Sequence, residues 1–421
     1  FQAEDGIRDR SPSRGLGDVY KRQGYCVALA ATEPRHRLIR DRITWLVYLQ
    51  IGIYGWVLYS MGPAIQLLRE ETGVSKTVSG LHGTAMAAGA LLTGAMGARV
   101  VQRIGRQASI WMGIAGACFG VVLITVSTAL PVTLFGAFCT TWFGSYIVNS
   151  VSTVMADHHA GPGASAAVSE AHGMAAAIGL IAPLAIGIAQ GTGIGWRAGV
   201  LIVLVLAAVL WLTMRDVTIP DHRDTLVHHD QPGRRLPPAY WWAWAALVAC
   251  VAVEFCVSIW ASVLLRERVG LSKGAAATGV TALVAGMAVG RFIAGRVAQR
   301  VDSARLMYMA IALAGVGWAI LWTATNPVLA FAGLVVCGLG IAFHFPIGVM
   351  RALSTAPGDG DHAAARASIG TGLAIGIGPF ALGALADRFS THTAFLAVPV
   401  LLALAALAVA GSVRAAAADE N

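Results

Sequence analysis

A single acidic residue interrupts one of the most apolar stretches of this chain. Glu254 lies near the middle of "VACVAVEFCVSIWAS", Val248 to Ser262, with no Lys or Arg within seven residues on either side. Apolar surroundings penalise the ionised form of a carboxyl group and suit it to taking up and releasing protons. We therefore predict a proton-coupling role for Glu254. A neutral carboxyl group bonded to a neighbouring helix is the alternative.

Two further ionisable residues occur in "SAAVSEAHGMAAAIG", at the start of another apolar run. Glu170 and His172 are two positions apart, so on a helix they point to different faces. Histidine changes charge near neutral pH and can relay protons. We predict a proton-coupling role for both residues, with a Glu placed at a helix start by the macrodipole as the alternative.

Aromatic and polar side chains also recur at helical spacing within other apolar runs. Three sets share this pattern: Trp142, Tyr146, Asn149 and Thr153; His344 and Arg351; Gln50 and Tyr54. Ligand cavities combine apolar walls with a few polar groups of this kind. We interpret the three sets as the lining of a substrate cavity, while hydrogen bonding between helices is the alternative use of each residue.

The remaining candidate sites give weaker signals. Arg291 could bind an anion, but an Arg near a helix end commonly extends its head towards water, and this is the favoured interpretation. The clusters Asp157–His159 and His228–Asp230 lack a further metal ligand at fixed spacing. No phosphate-binding Gly-Lys-Ser/Thr motif or catalytic motif occurs, so we predict no metal, no cofactor and no enzymatic activity.

The elements that must position these residues are membrane-spanning helices. Apolar residues make up 57% of the 421 residues and charged residues 12%, whereas a soluble domain carries about 25% charged residues. A helix needs about 20 residues to cross the bilayer, and in lipid it pairs all of its own backbone groups. We predict an all-α membrane protein whose twelve spans are 43–68, 76–98, 107–128, 131–155, 165–190, 197–214, 240–265, 274–298, 304–325, 328–350, 366–386 and 393–412.

One short polar sequence occurs twice. "LLREETGVSK", Leu67–Lys76, and "LLRERVGLSK", Leu264–Lys273, are hereafter the twin segments. The offset from Leu67 to Leu264 also relates "ARVVQRIG" to "GRVAQRVD". Six predicted spans lie on each side of the central loop. Six spans per copy keep the two copies parallel, as in many secondary transporters. We interpret each twin segment as an architectural turn after the first span of its half, with its Arg-Glu head at the lipid–water boundary.

The distribution of basic residues predicts the orientation of the chain. The net charge is +8, and most Lys and Arg fall in the segments that become cytoplasmic when both termini are placed inside. This is the positive-inside asymmetry. We therefore expect a multi-pass protein of the bacterial plasma membrane with both termini cytoplasmic, and no nucleic-acid partner.

The turn after the second span resembles a motif of the major facilitator superfamily, Gly-x-x-x-Asp-Arg-x-Gly-Arg. The first copy here contains Gln102, Arg103, Gly105 and Arg106, and the second contains Gln299 and Arg300. The resemblance covers about residues 43–412 and implies the superfamily fold of twelve helices. Gln replaces the acidic residue in both copies, so the charge-assisted latch that the family builds there should be weaker.

This resemblance implies a secondary active transporter that moves a small organic solute by alternating access and is driven by ion or solute gradients. With Glu254 as the coupling residue, we predict that the ion is a proton. An uncoupled facilitator or sensor is the alternative, and a membrane-embedded enzyme a more distant one. We expect a monomer in the lipid bilayer.

The first 23 residues resemble a translated sequencing adapter, which we interpret as an artefact. The predicted parts are an N-terminal segment (1–42), a first half (43–214), a linker (215–239), a second half (240–412) and a tail (413–421).

Overall fold

The computed structural model describes residues 40–159, 162–220, 236–298, 300–356 and 360–419, and these residues form helices and no strand. Twelve helices are long and apolar enough to cross a membrane, which confirms the predicted all-α fold. The predicted artefact and most of the linker lie outside the described residues. The helices are α1 (Arg42–Thr72), α2 (Lys76–Ile104), α3 (Arg106–Val126), α4 (Leu130–His158), α5 (Pro162–Gly191), α6 (Trp196–Met214), α7 (Pro238–Val269), α8 (Lys273–Ala298), α9 (Ser303–Thr323), α10 (Pro327–Ser354), α11 (Gly360–Arg388), α12 (Thr391–Ala394) and α13 (Ala397–Asp419).

The last span differs from its prediction as one continuous helix. The short helix α12 ends at Ala394 and α13 begins at Ala397. Pro399 lies in the first turn of α13, where its missing N–H leaves no carbonyl without a partner and its fixed φ favours a helix start. The proline therefore sets the new beginning of the helix.

The twin segments use the same two devices to end one helix and begin the next. Gly73 and Gly270 adopt the left-handed conformation at the ends of α1 and α7, with φ of 68° and 77°, which favours glycine. Ser75 and Ser272 then accept hydrogen bonds from backbone N–H groups in the first turns of α2 and α8. This explains why Gly and Ser recur at the same places in both copies.

The duplication extends to the glycines that let helices approach closely. Eight glycine pairs are separated by the same offset as the twin segments: Gly73 and Gly270, Gly89 and Gly286, Gly120 and Gly317, Gly136 and Gly333, Gly161 and Gly358, Gly163 and Gly360, Gly173 and Gly370, Gly179 and Gly376. Three of these pairs lie within corresponding helix contacts, α2 with α4 and α3 with α4 in the first half, and α8 with α10 and α9 with α10 in the second. The two halves therefore repeat their internal packing as well as their turns.

Replacing Gly120 by Ala is expected to destabilise the protein. A Cβ at this position would lie 2.6 Å from the Gly136 carbonyl oxygen and 2.7 Å from the Thr140 backbone nitrogen, so helices α3 and α4 would have to separate. Overpacking of this kind costs about 1–3 kcal/mol. Gly94→Ala is the matched control, because a Cβ there would meet nothing within 4 Å. Thermal unfolding in detergent should show a lower Tm for Gly120→Ala alone; equal Tm values would contradict this packing account.

The two halves meet along α2 with α11 and along α5 with α8. A Cβ on Gly80 would lie 2.9 Å from the Phe380 Cα, and a Cβ on Gly187 would lie 2.6 Å from the Gly274 carbonyl oxygen. These two close approaches lie towards the end of the bundle that carries the twin segments, hereafter the twin-segment end. The opposite end, where α2 and α8 finish, is hereafter the basic-motif end.

Candidate functional site

Glu254 lies in a narrow cavity between the two halves. Its side chain is almost fully buried, and the cavity walls come from α1 and α2 of the first half and α7 and α8 of the second. The lining includes Tyr59, Met86, Phe255, Ser258 and Val280. The space has room for water rather than for a solute. A solute could therefore reach Glu254 only after the halves move.

Arg291 supplies the charge partner that the sequence analysis did not assign to Glu254. Its Nη2 atom lies 3.9 Å from Glu254 Oε1, and its Nη1 atom donates a 3.3 Å hydrogen bond to the hydroxyl of Tyr59. The favoured interpretation, in which Arg291 extends towards water, is wrong: the guanidinium points into the interface. A distance of 3.9 Å is an ion pair without a close hydrogen bond, so the guanidinium keeps donors for another acceptor.

The Tyr59 ring reaches Arg291 because glycine leaves room for it. Gly179 of α5 lies directly against this ring, where a Cβ would clash with it. His172, also on α5, lies within electrostatic range of Arg291, and the neighbouring Gly173 packs against Phe292. The structure therefore pairs Glu254 with Arg291 and places His172 in the same region of the interface.

Glu170 is held elsewhere. Arg40 donates two hydrogen bonds to its carboxylate, at 2.9 and 2.7 Å, and the Tyr48 hydroxyl donates a third at 3.1 Å. These hydrogen bonds raise the pKa of Arg40 above its ordinary value. Glu170 thus joins the start of α1 to α5 near the basic-motif end, and its proton-coupling role stays a prediction.

The predicted cavity lining on α1 and α4 divides into a buried part and an exposed part. Gln50 is fully buried, and neither its amide oxygen nor its amide nitrogen has a hydrogen-bond partner. Tyr54 packs its ring against Gly144 of α4. The other members share one helix but differ in burial: Tyr146 is buried, Trp142 is half-buried, and Asn149 and Thr153 are exposed. Their contact with a solute stays a prediction.

His344 and Arg351 lie within the second half. The His344 ring is fully buried, and neither of its ring nitrogens has a hydrogen-bond partner. Arg351 donates a 2.9 Å hydrogen bond to the Ser303 hydroxyl at the start of α9. The Arg351 hydrogen bond joins helices of one half and favours a structural role for that residue, while the lining role of His344 stays a prediction.

The residues of the predicted gating motif lie at the basic-motif end. Gly105 adopts a φ of 86° between α2 and α3, and the buried Arg106 pairs with Asp157 of α4 at 2.5 Å. Gln102, Arg103 and Arg300 are exposed. Gln299 lies outside the described residues, so the comparison of the two Gln positions stays a prediction.

No group of three or more His, Cys, Asp or Glu side chains that could hold a metal occurs within the described ranges. The side chains at the interface offer a carboxyl group, a guanidinium, a phenol and an imidazole. These groups can bind an ion and transfer a proton.

Comparison with known proteins places the chain in a family. The family model of the Major Facilitator Superfamily matches residues 47–347 and 243–419. The chain belongs to the major facilitator superfamily. This confirms the predicted resemblance and makes the protein a membrane transporter of the alternating-access type. A comparison with curated proteins gives no match.

Solved structures of other superfamily members share the fold. A bacterial homolog of the human lysosomal transporter Spinster, in an inward-facing and unoccupied conformation, aligns with a TM-score of 0.71 and 14% identity over 89% of this chain and 98% of that chain. The transporter FucP in the outward conformation gives a TM-score of 0.62 and 14% identity over 88% and 98%. A variant of the E. coli fucose:proton symporter FucP gives 0.58 and 15% identity over 88% and 98%.

Proposed function

We propose that this superfamily member is a secondary active transporter that moves a small organic anion together with a proton. The observation that carries the proposal is the pair formed by Glu254 and Arg291 in the narrow cavity between the halves. Glu254 would carry the proton, and Arg291 would bind the anionic group of the solute. One structural neighbour is a fucose:proton symporter, which supports proton coupling within this fold.

The charge balance of the cavity links the two ligands. With Glu254 ionised, the carboxylate neutralises Arg291, and a second anion there would leave an excess negative charge in a poorly solvated place. With Glu254 protonated, Arg291 is left as a half-buried cation, which is costly without a partner. An anionic solute restores neutrality. Proton and anion should therefore bind together and leave together.

Arg291 changes the class of solute that the site favours. A central carboxylate without a placed cation would favour neutral or cationic solutes. A guanidinium that retains free donors favours carboxylates and similar planar anions instead. His172 and Tyr59 would complete the site as polar neighbours of the bound group.

We further propose that the basic-motif end faces the cytoplasm of a bacterium and that the twin-segment end faces outwards. The support is the excess of Lys and Arg in the segments at the basic-motif end. In this orientation the closed twin-segment end separates the cavity from the outer solution.

Transport into vesicles under an imposed pH gradient tests the proposal. The purified protein is reconstituted into liposomes and offered a panel of radiolabelled monocarboxylates and dicarboxylates, with the amides of the same acids as neutral controls. We expect a lower pH outside the vesicles to drive uphill uptake of at least one carboxylate and of none of the amides. A protonophore should abolish the accumulation. Flux that only runs downhill would identify a facilitator, and uptake of amides alone would reject the anion assignment.

A further inference from the structure

The twin segments contact each other across the interface with complementary charges. Glu70 of the first segment lies 3.1 Å from Lys273 of the second, and Lys76 of the first lies 2.7 Å from Glu267 of the second. Glu70 corresponds to Glu267, and Lys76 corresponds to Lys273, at the offset of the repeat. Each copy therefore offers its Glu to the Lys of the other copy. The structure places this Arg-Glu head between the halves, and its position at the lipid–water boundary stays a prediction.

This reciprocity follows from the pseudo-two-fold axis. When a segment packs against its own duplicate about such an axis, every contact from one copy to the other occurs twice. A sequence that carries both Glu and Lys at suitable spacing is then complementary to itself. The duplication of one short polar sequence therefore creates two ion pairs at once.

The two ion pairs differ in their surroundings. The Glu70 side chain is 14% exposed and also contacts Arg266, whereas the Glu267 side chain is 42% exposed. Lys76 additionally donates a hydrogen bond to the hydroxyl of Thr391. Removing the partner of a buried charge costs far more than removing one member of an exposed pair. The Glu70 side should therefore contribute more to the contact.

A second set of bonds fastens α2 to α11 beside these pairs. The Asp387 carboxylate accepts hydrogen bonds from the backbone N–H groups of Lys76 and Thr77 at 2.9 and 2.7 Å. Asp387 thus caps the start of a helix that belongs to the other half. Between this layer and Glu254, the Trp260 indole donates a 2.9 Å hydrogen bond to the Pro379 carbonyl oxygen.

We propose that the twin segments form the gate that closes the central cavity at the twin-segment end, with the two reciprocal Glu–Lys pairs as its latch. Exposed and half-exposed charges suit a contact that must break in every transport cycle, because water solvates each partner once the halves separate. The proposal rests on the alternating access of the superfamily and not on proton coupling at Glu254.

The experiment measures the opening of both ends of the full-length protein. Spin labels at Ser75→Cys and Ser272→Cys report the distance across the twin-segment end. A second labelled background, Ile104→Cys with Ala365→Cys, reports the distance across the basic-motif end. All four positions are exposed, whereas the described native cysteines are buried. Each background receives Glu70→Gln, Lys273→Gln, both together, or the matched control Glu267→Gln, and distances are measured by pulsed electron paramagnetic resonance.

We expect Glu70→Gln to raise the ratio of open to closed molecules at the twin-segment end about tenfold, because the Glu70 carboxylate pairs with both Arg266 and Lys273, whose side chains are 32% and 45% exposed. Glu267→Gln should raise this ratio about two- to fivefold. Lys273→Gln should add little in the presence of Glu70→Gln, because the pair is already broken. The distance across the basic-motif end should shorten in the same variants.

Two outcomes would overturn the proposal that the twin segments form the gate. Distances that do not change in Glu70→Gln would show that the pair does not hold the halves together. A longer distance at the twin-segment end without shortening at the basic-motif end would show local loosening rather than gating. Because these readouts need neither solute nor proton gradient, their failure is distinct from a failure of proton-coupled anion transport.

Discussion

Glu254→Gln is expected to abolish uptake driven by a pH gradient while leaving solute exchange across the membrane intact. Gln has the shape of a protonated Glu but cannot release a proton, so Arg291 is free to bind an anion at every pH. Wild-type protein coupled to one proton should accumulate a monoanion about tenfold for a gradient of one pH unit. The variant should reach only equal concentrations on the two sides. Uptake under a pH gradient and exchange of labelled for unlabelled solute measure the two properties separately.

Glu170→Gln is the matched control. It makes the same change at a carboxylate held by Arg40 and Tyr48, away from Arg291. We expect the control to retain gradient-driven accumulation within about twofold, since its site is not between the halves. If Glu254→Gln accumulated solute like the wild type, Glu254 would not be the coupling residue, and His172 would be the next candidate beside Arg291.

Much of the fold could be predicted from the sequence because lipid imposes a strict composition on its helices. Apolar runs of about 20 residues marked the spans, and the repeat marked the two halves. The twin segments were correctly placed as turns, since Gly and Ser have fixed uses at the end and start of a helix. The interruption of the last span was not predicted, because Pro399 lay within an otherwise continuous apolar run.

The candidate site was only partly accessible to sequence reasoning. A carboxylate within a long apolar run can be recognised from the sequence alone, so Glu254 could be predicted. Its partner lies on the next helix, and Arg291 was judged by its distance from a helix end alone. Glu254 lies about four turns before the end of α7 and Arg291 about five turns after the start of α8. In an antiparallel hairpin this places both residues at similar depth.

The repeat itself contained a second signal. Positions corresponding to Glu254 and Arg291 in the first half are Val57 and Gly94. A feature present in one copy alone cannot serve the architecture that the copies share. Residues that differ between the two copies are therefore better candidates for function than residues that are the same in both. The glycine pairs at the helix contacts belong to the second kind.

The contacts of the twin segments could not be predicted, because pairing across the interface depends on how two halves dock. The sequence established that Glu70 and Lys273 belong to equivalent turns. It did not establish that a Glu of one turn would face a Lys of the other. Only the relative position of the halves reveals that complementarity, and the same holds for Asp387 capping α2.

Arg291→Gln is expected to weaken binding of the anionic solute by at least about a hundredfold. The guanidinium is the only cation that the structure places against Glu254 among the described residues, so its loss leaves the solute carboxylate without a counter-charge in a narrow cavity. Removing one partner of a buried pair costs about 3–5 kcal/mol. Thermal stabilisation by increasing solute concentration gives the apparent Kd of wild type and variant, because binding raises Tm by mass action.

Two further variants separate charge from packing. Arg291→Lys keeps the charge but loses the planar pair of donors, so its binding should be weakened about tenfold. Glu254→Gln combined with Arg291→Gln removes both charges. The double variant should unfold at a Tm at or above that of Arg291→Gln, since it no longer buries a carboxyl group that has lost its partner.

The neutral amide of the same acid serves as the control ligand for every variant. An effect through loss of folding or cavity shape would weaken binding of acid and amide alike. An effect through the charge of Arg291 would weaken binding of the acid alone. Unchanged affinity for the acid in Arg291→Gln would contradict the anion site, and the solute would then have to be sought among neutral or cationic compounds. Because Glu254 could still exchange protons in that case, the proton-coupling role of Glu254 and the anion-binding role of Arg291 can be rejected independently of each other.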